Sequence, residues 1–138
     1  MYAGTRKVID GVTCNATATV YSLVPEDDLT QATNSWIRVG AGESFAVWVY
    51  GVSATGTVNV NVYADISPLS TSIAYASSDA TKYVTVTLTS SAIAADPTLY
   101  RYTPSDFDYP FAKMRLRVVG SGSNPTDSVI HAWVTSAK

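Results

Sequence analysis

Between Pro110 and Thr135 side-chain character alternates residue by residue. Met114, Leu116 and Val118 fall on one side, and Lys113, Arg115 and Arg117 on the other. A period of two is that of a strand with one buried face, and it fixes which residues share that face. The run Ser121-Gly-Ser-Asn-Pro-Thr-Asp can only be a turn or loop, and Val129 to Thr135 resumes the alternation. Two strands this close in sequence predict a closing β-hairpin. In it the Met114 face is core and the basic row is the face left for a partner.

The same period recurs upstream. Thr17 to Val24, Trp36 to Val39, Val58 to Tyr63, Tyr83 to Thr89 and Thr98 to Thr103 read as strands, with a further short one at Ile73 and Tyr75. Val52 to Thr57 reads as a hairpin connection, Ser91 to Asp96 as a loop with one helical turn, and Pro104 to Pro110 as a loop. Phe45 to Tyr50 is apolar on both faces, which suits a central strand covered on both sides or holding a partner on its outer side. All six prolines fall between these strands, as their missing backbone donor requires. Eight or nine short strands with frequent turns predict an all-β chain, a single antiparallel β-sandwich of jelly-roll type. Residues 1–15 form an N-terminal arm or edge strand, and residues 16–138 form the sandwich.

Composition narrows the function classes. At 138 residues one domain is expected, with a sizeable core. Charged residues make up only 14%, against roughly 25% in an average soluble protein. A weakly charged surface is less protected against association, which favours life in an oligomer or larger assembly. The net charge of −2 supplies no basic field for nucleic acid. Cys14 is the only cysteine, so the chain forms no internal disulfide. No apolar run approaches the roughly 20 residues needed to span a bilayer. The first ten residues lack the apolar core of a secretory signal. The chain is therefore expected to be cytoplasmic, assembled inside a cell, or a mature form without its leader.

Catalytic and metal constellations are weak. His131 is the only histidine and lies mid-strand with Val129 and Trp133 on its face, a poor place for a catalytic imidazole. Most carboxylates sit in turns, where they cap local backbone. Glu26-Asp-Asp28 and Asp106-Phe-Asp108 have calcium-like chemistry without calcium-loop spacing. One Cys and one His cannot make a zinc site. Asn15-Ala-Thr17 matches a glycosylation acceptor. The expectation is a protein without enzymatic activity, cofactor or metal. Two candidate binding features remain. Tyr100, Tyr102, Phe107 and Tyr109 crowd one loop region, either as an interface, where such rings are enriched, or as a platform for sugar rings. Lys113, Arg115 and Arg117 form a basic row, either for an acidic partner, as a phosphate-binding stripe, or solvated beside acids on the next strand.

The segments Tyr102-Thr-Pro-Ser-Asp-Phe, Pro110-Phe-Ala-Lys-Met-Arg-Leu-Arg-Val-Val-Gly through Ala132-Trp-Val, and Gly42-Glu-Ser-Phe-Ala-Val-Trp-Val-Tyr-Gly resemble small β-sandwich virion proteins of tailed bacteriophages. The resemblance implies a structural virion protein assembled in the host cytoplasm. Its expected role is a capsid decoration (cement) protein, or else a tail, neck or fibre component. The implied partners are the major capsid protein or other virion subunits and further copies of itself as a dimer or trimer. A carbohydrate-binding module is the alternative, with a glycan as partner. Residues 2–12 would lie as an arm over a neighbour, so removing Met1 to Val12 would weaken attachment and leave the sandwich folded.

Overall fold

The structure is a computed structural model that describes residues 4–15, 18–23, 36–38, 44–53, 57–69, 73–74, 77–89, 92–94, 99–107, 111, 113–121 and 127–137. These residues form ten strands: β1 Gly4–Thr13, β2 Thr19–Tyr21, β3 Trp36–Arg38, β4 Ser44–Val52, β5 Thr57–Ser67, β6 Val84–Thr89, β7 Ala92–Ala94, β8 Leu99–Tyr102, β9 Lys113–Gly120 and β10 Val129–Ala137. A short 3-10 turn, Pro104–Phe107, follows β8. Every strand pair is antiparallel. The chain is an all-β sandwich.

One sheet has four strands in the order β1-β10-β4-β8, and the other has six, β2-β9-β5-β6 with β3 also on β9 and β7 also on β5. The alternation read from sequence sets the inner faces. Val47, Val49, Ile130, Ala132 and Val134 of the four-stranded sheet face Val60, Val62, Ala64, Ile66, Met114, Leu116 and Val118 of the other, all buried. Phe45, Phe107 and Phe111 pack ring on ring at centroid separations of 5.4, 5.9 and 5.6 Å and extend this core. Each such Val, Ile, Leu, Met or Phe side chain taken from water contributes about 1.5–3 kcal/mol.

The closing hairpin is not formed. β9 belongs to the six-stranded sheet and β10 to the four-stranded one. The link from β4 to β5 likewise crosses between sheets, so Val52 to Thr57 is no hairpin connection. A hairpin and a crossing have the same alternation, because in both cases the apolar faces point to one core. The register decides, and β10 pairs with β1 and β4 over its whole length.

The N-terminal segment is a paired edge strand and not a loose arm. Gly4 to Thr13 runs along β10, and Val8 and Ile9 are buried in the core. Register shifts flank Ile9. Gly11 adopts φ +61°, and a Cβ there would lie 3.2 Å from Cε1 of His131. Only glycine takes this backbone without strain.

Smaller differences have local causes. Ala92–Ala94 forms β7 on the edge of β5, where a helix so short would be marginal alone. β5 runs on to Ser67, because its outer face gains a charged partner described below. Ile73 is buried but outside any strand; Tyr75 lies outside the described residues. β2 spans only Thr19–Tyr21, and Thr17 and Val24 also lie outside them.

Candidate functional site

The predicted basic row lies on the outer face of the six-stranded sheet, but the protein itself covers the centre of that face, at Asp65 and Arg115. Register places Arg115 of β9 opposite Asp65 of β5, and Arg117 opposite Tyr63. Arg115 donates to Asp65 Oδ2 from Nε at 2.9 Å and Nη2 at 2.6 Å. Arg117 donates to both Asp65 oxygens at 3.2 Å, and the Thr85 hydroxyl donates at 2.7 Å. Asp65 is 0% and Arg115 1% exposed. Aromatic rings surround the cations. Arg115 lies 4.7 Å from the ring centroid of Tyr21, 4.9 Å from Trp36 and 5.1 Å from Tyr83, and Arg117 lies 4.6 Å from that of Tyr63.

Ala74, Ser77 and Tyr83, between β5 and β6, complete this cover. Ser77 O accepts from Arg115 at 3.0 Å and from the Tyr83 hydroxyl at 3.2 Å, and Ala74 O accepts from Trp36 Nε1 at 3.3 Å. Burial alone would raise the Asp65 carboxyl, but the hydrogen bonds from Arg117, Thr85 and Arg115 outweigh it and hold it below its ordinary value. Lys113 is also buried, and burial, with Arg38 beside it, lowers its ammonium. The expectation of a basic row presented to a partner is thus corrected for Arg115 and Lys113. Arg115 holds the fold together, and Arg117 is half-buried on the same carboxylate.

The predicted aromatic platform is also largely internal. Tyr100 and Tyr102 are period-two neighbours on β8, in register with Val49 and Val47 of β4. Tyr102 and Phe107 are buried, and Tyr100 packs half-buried against the core. Rings held this way cannot stack on a sugar. Tyr109 lies outside the described residues.

The open aromatic face lies elsewhere, on the outer side of the four-stranded sheet. Pairing of β1 with β10, β10 with β4 and β4 with β8 aligns Lys7, Trp133, Trp48 and Arg101 in one row across all four strands. The next row is His131, Tyr50 and Leu99. Lys7 Nζ lies 5.2 Å from the Trp133 ring centroid, and the Arg101 guanidinium 5.7 Å from that of Trp48. Such cation–ring pairs contribute about 0.5–1 kcal/mol at exposed sites. Tyr50 meets His131 and Trp133 edge-on at 6.0 and 6.4 Å, and Trp48 Nε1 donates to Thr135 Oγ1 at 2.9 Å. A shallow groove of 430 Å³ runs between Thr5, Trp48, Tyr50, Leu99, Trp133 and Thr135. Leu99 is 50% exposed. Lys7 is bound to Asp10 at 2.7 Å, and the hydrogen bond and charge of Lys7 hold the Asp10 carboxyl low. Arg101 has no ion-pair partner among the described residues.

One sequence signal pointed here. Phe45 to Tyr50 carries apolar residues on both faces, and Trp48 and Tyr50 are the outer set. Their neighbours His131 and Trp133 come from a strand distant in sequence, which only the register supplies. Among the described residues no group of three or more His, Cys, Asp or Glu side chains is arranged to hold a metal. No described helix is long and apolar enough to cross a membrane. No protein-family model matches the chain, and no curated protein does.

Proposed function

We propose that the protein is a structural virion subunit of the head-decoration (cement) type, docking onto capsid or other virion subunits. One observation carries this: at the centre of one outer face the cations are committed to a buried carboxylate under the chain's own residues, while the other face holds two tryptophans and a tyrosine around an open groove. Aromatic residues with a surrounding polar rim are the composition of protein interfaces. The low charge of the chain and its resemblance to phage sandwich proteins point the same way. Docking across subunit seams stabilises the shell, because whatever binds only the assembled state shifts the equilibrium towards it. Many copies acting together strengthen weak contacts. A closed dimer or trimer is part of the same reading.

The strand order supports a jelly-roll description of the sandwich. Counting β2 with β3 and β6 with β7 gives eight steps; one sheet then holds steps one, eight, three and six, and the other two, seven, four and five.

The test is mass spectrometry of purified particles, followed by electron microscopy of particles carrying the labelled chain. Regular density on the head supports decoration, and density on neck, tail or fibre moves the role along the virion. Absence from particles sinks the proposal. A glycan-binding module is the second reading, favoured by the groove between Trp48, Tyr50 and Trp133. A monomer that binds polysaccharide and loses binding on Trp133→Ala would establish it.

A further inference from the structure

The open face carries information about its partner's chemistry, given the protein-docking reading above. Lys7, Trp133, Trp48 and Arg101 form one row across the strands. Three strand spacings separate its ends, about 14 Å. Lys7 is paired with Asp10, and among the described residues exposed Arg101 has no ion-pair partner. The groove beside it is lined by Leu99, Tyr50 and the two tryptophans.

A second copy of this chain is a poorer occupant. Where two such sheets pack face to face about a two-fold axis across the strands, Arg101 meets Arg101 of the other copy, and like charges opposed in a drying interface cost several kcal/mol. About an axis along the strands Arg101 meets the Lys7–Asp10 pair, whose carboxylate is already committed. Neither arrangement brings Arg101 an uncommitted acid.

We propose that the outer face of the four-stranded sheet docks an extended, acidic segment of a different protein. A carboxylate sits on Arg101, and a neighbouring apolar side chain enters the groove between Trp48, Tyr50, Leu99 and Trp133. At about 3.3 Å per residue, four or five residues span the row. Charge complementarity selects this partner, and the desolvated groove makes the pair with Arg101 directional.

The test selects a displayed library of random twelve-residue peptides on the purified full-length protein, then measures the winners by titration calorimetry. The expected winners carry Asp or Glu within two residues of an apolar or aromatic residue. Arg101→Glu, on an exposed side chain, should weaken them at least tenfold, as should Trp133→Ala, with melting curves confirming that both variants fold. Lys82→Glu, an exposed charge change elsewhere, should leave binding within twofold. Acid-free winners indifferent to Arg101→Glu would overturn the inference. So would an empty selection, or a polysaccharide array that binds the protein through Trp133 when no peptide does. Particle attachment combined with acid-free winners would leave the assembly role standing and remove only this partner chemistry.

Discussion

The two outer faces of this sandwich are built from the same side-chain types and reach opposite outcomes. Each sets cations against aromatic rings, tryptophans on the four-stranded sheet and both tryptophan and tyrosines on the six-stranded one. On the six-stranded sheet the cations converge on Asp65, and Ala74, Ser77 and Tyr83 lie over the assembly. On the four-stranded sheet Arg101 has no carboxylate among the described residues, and the rings border an open groove. The difference is one buried acid and one covering segment. A cation–aromatic cluster becomes structural when a carboxylate and a cover are supplied from within. Without them it is left for something else to cover.

The largest expected effect tests whether the open sheet stands without its edge. Deleting Met1 to Val12 removes β1, with Val8 and Ile9, at about 1.5–3 kcal/mol for each of those two side chains. The truncated chain should lose its cooperative melt. A melt within a few degrees of the full chain would mean that β1 is the dispensable arm first expected.

Next, Asp65→Ala leaves two cations facing each other on the closed side, and breaking a buried pair this way costs about 3–5 kcal/mol. Chemical denaturation measures it, and a loss below about 1 kcal/mol would show that the cluster is not structural. The acid limb of the stability curve gives the same test by pH. The folded-state carboxyl of Asp65 lies below its unfolded value. Its contribution is therefore complete above about pH 4 and is lost as pH falls through the lowered value. The wild-type and Asp65→Ala curves should converge in acid. A constant gap down to pH 2 or so would contradict the assignment.

The sharpest contrast uses one residue type on both faces. Trp36→Ala should cost about 3–5 kcal/mol, as for a buried aromatic. Trp133→Ala, at a half-buried position, should cost about 1 kcal/mol and act on binding. Equal losses would erase the distinction between the faces. The smallest effect belongs to Leu99→Ser, within about 0.5 kcal/mol, with any change confined to docking.

How much of this was legible depends on distance along the chain. Alternation and prolines gave most of the strands and their inner faces, because both act within a few residues. They could not say which strands pair. Lys113 to Arg117 is legible as a row, and the alternation allows an acid on the neighbouring strand. Identifying it as Asp65, and finding the roof of Trp36, Tyr21 and Tyr83, requires the register. The aromatic crowd from Tyr100 to Phe107 drew attention because it is dense in sequence. Its alternate members turn inward, whereas Trp48 and Trp133, remote in sequence, are side by side. Only the doubly apolar stretch around Trp48 signalled the open face in advance.

β1 takes its whole ladder from β10, from Gly4 against Ser136 to Thr13 against Val129. During synthesis β1 therefore leaves the ribosome long before its partner strand. Until residues 129–136 have emerged, Val8 and Ile9 have no permanent place, and β4 lacks its neighbour on that side. Pairings this distant in sequence fold slowly and keep unpaired edges exposed for longer. Refolding yield should accordingly fall as protein concentration rises, and chaperone occupancy should be greatest on nascent chains that stop short of β10.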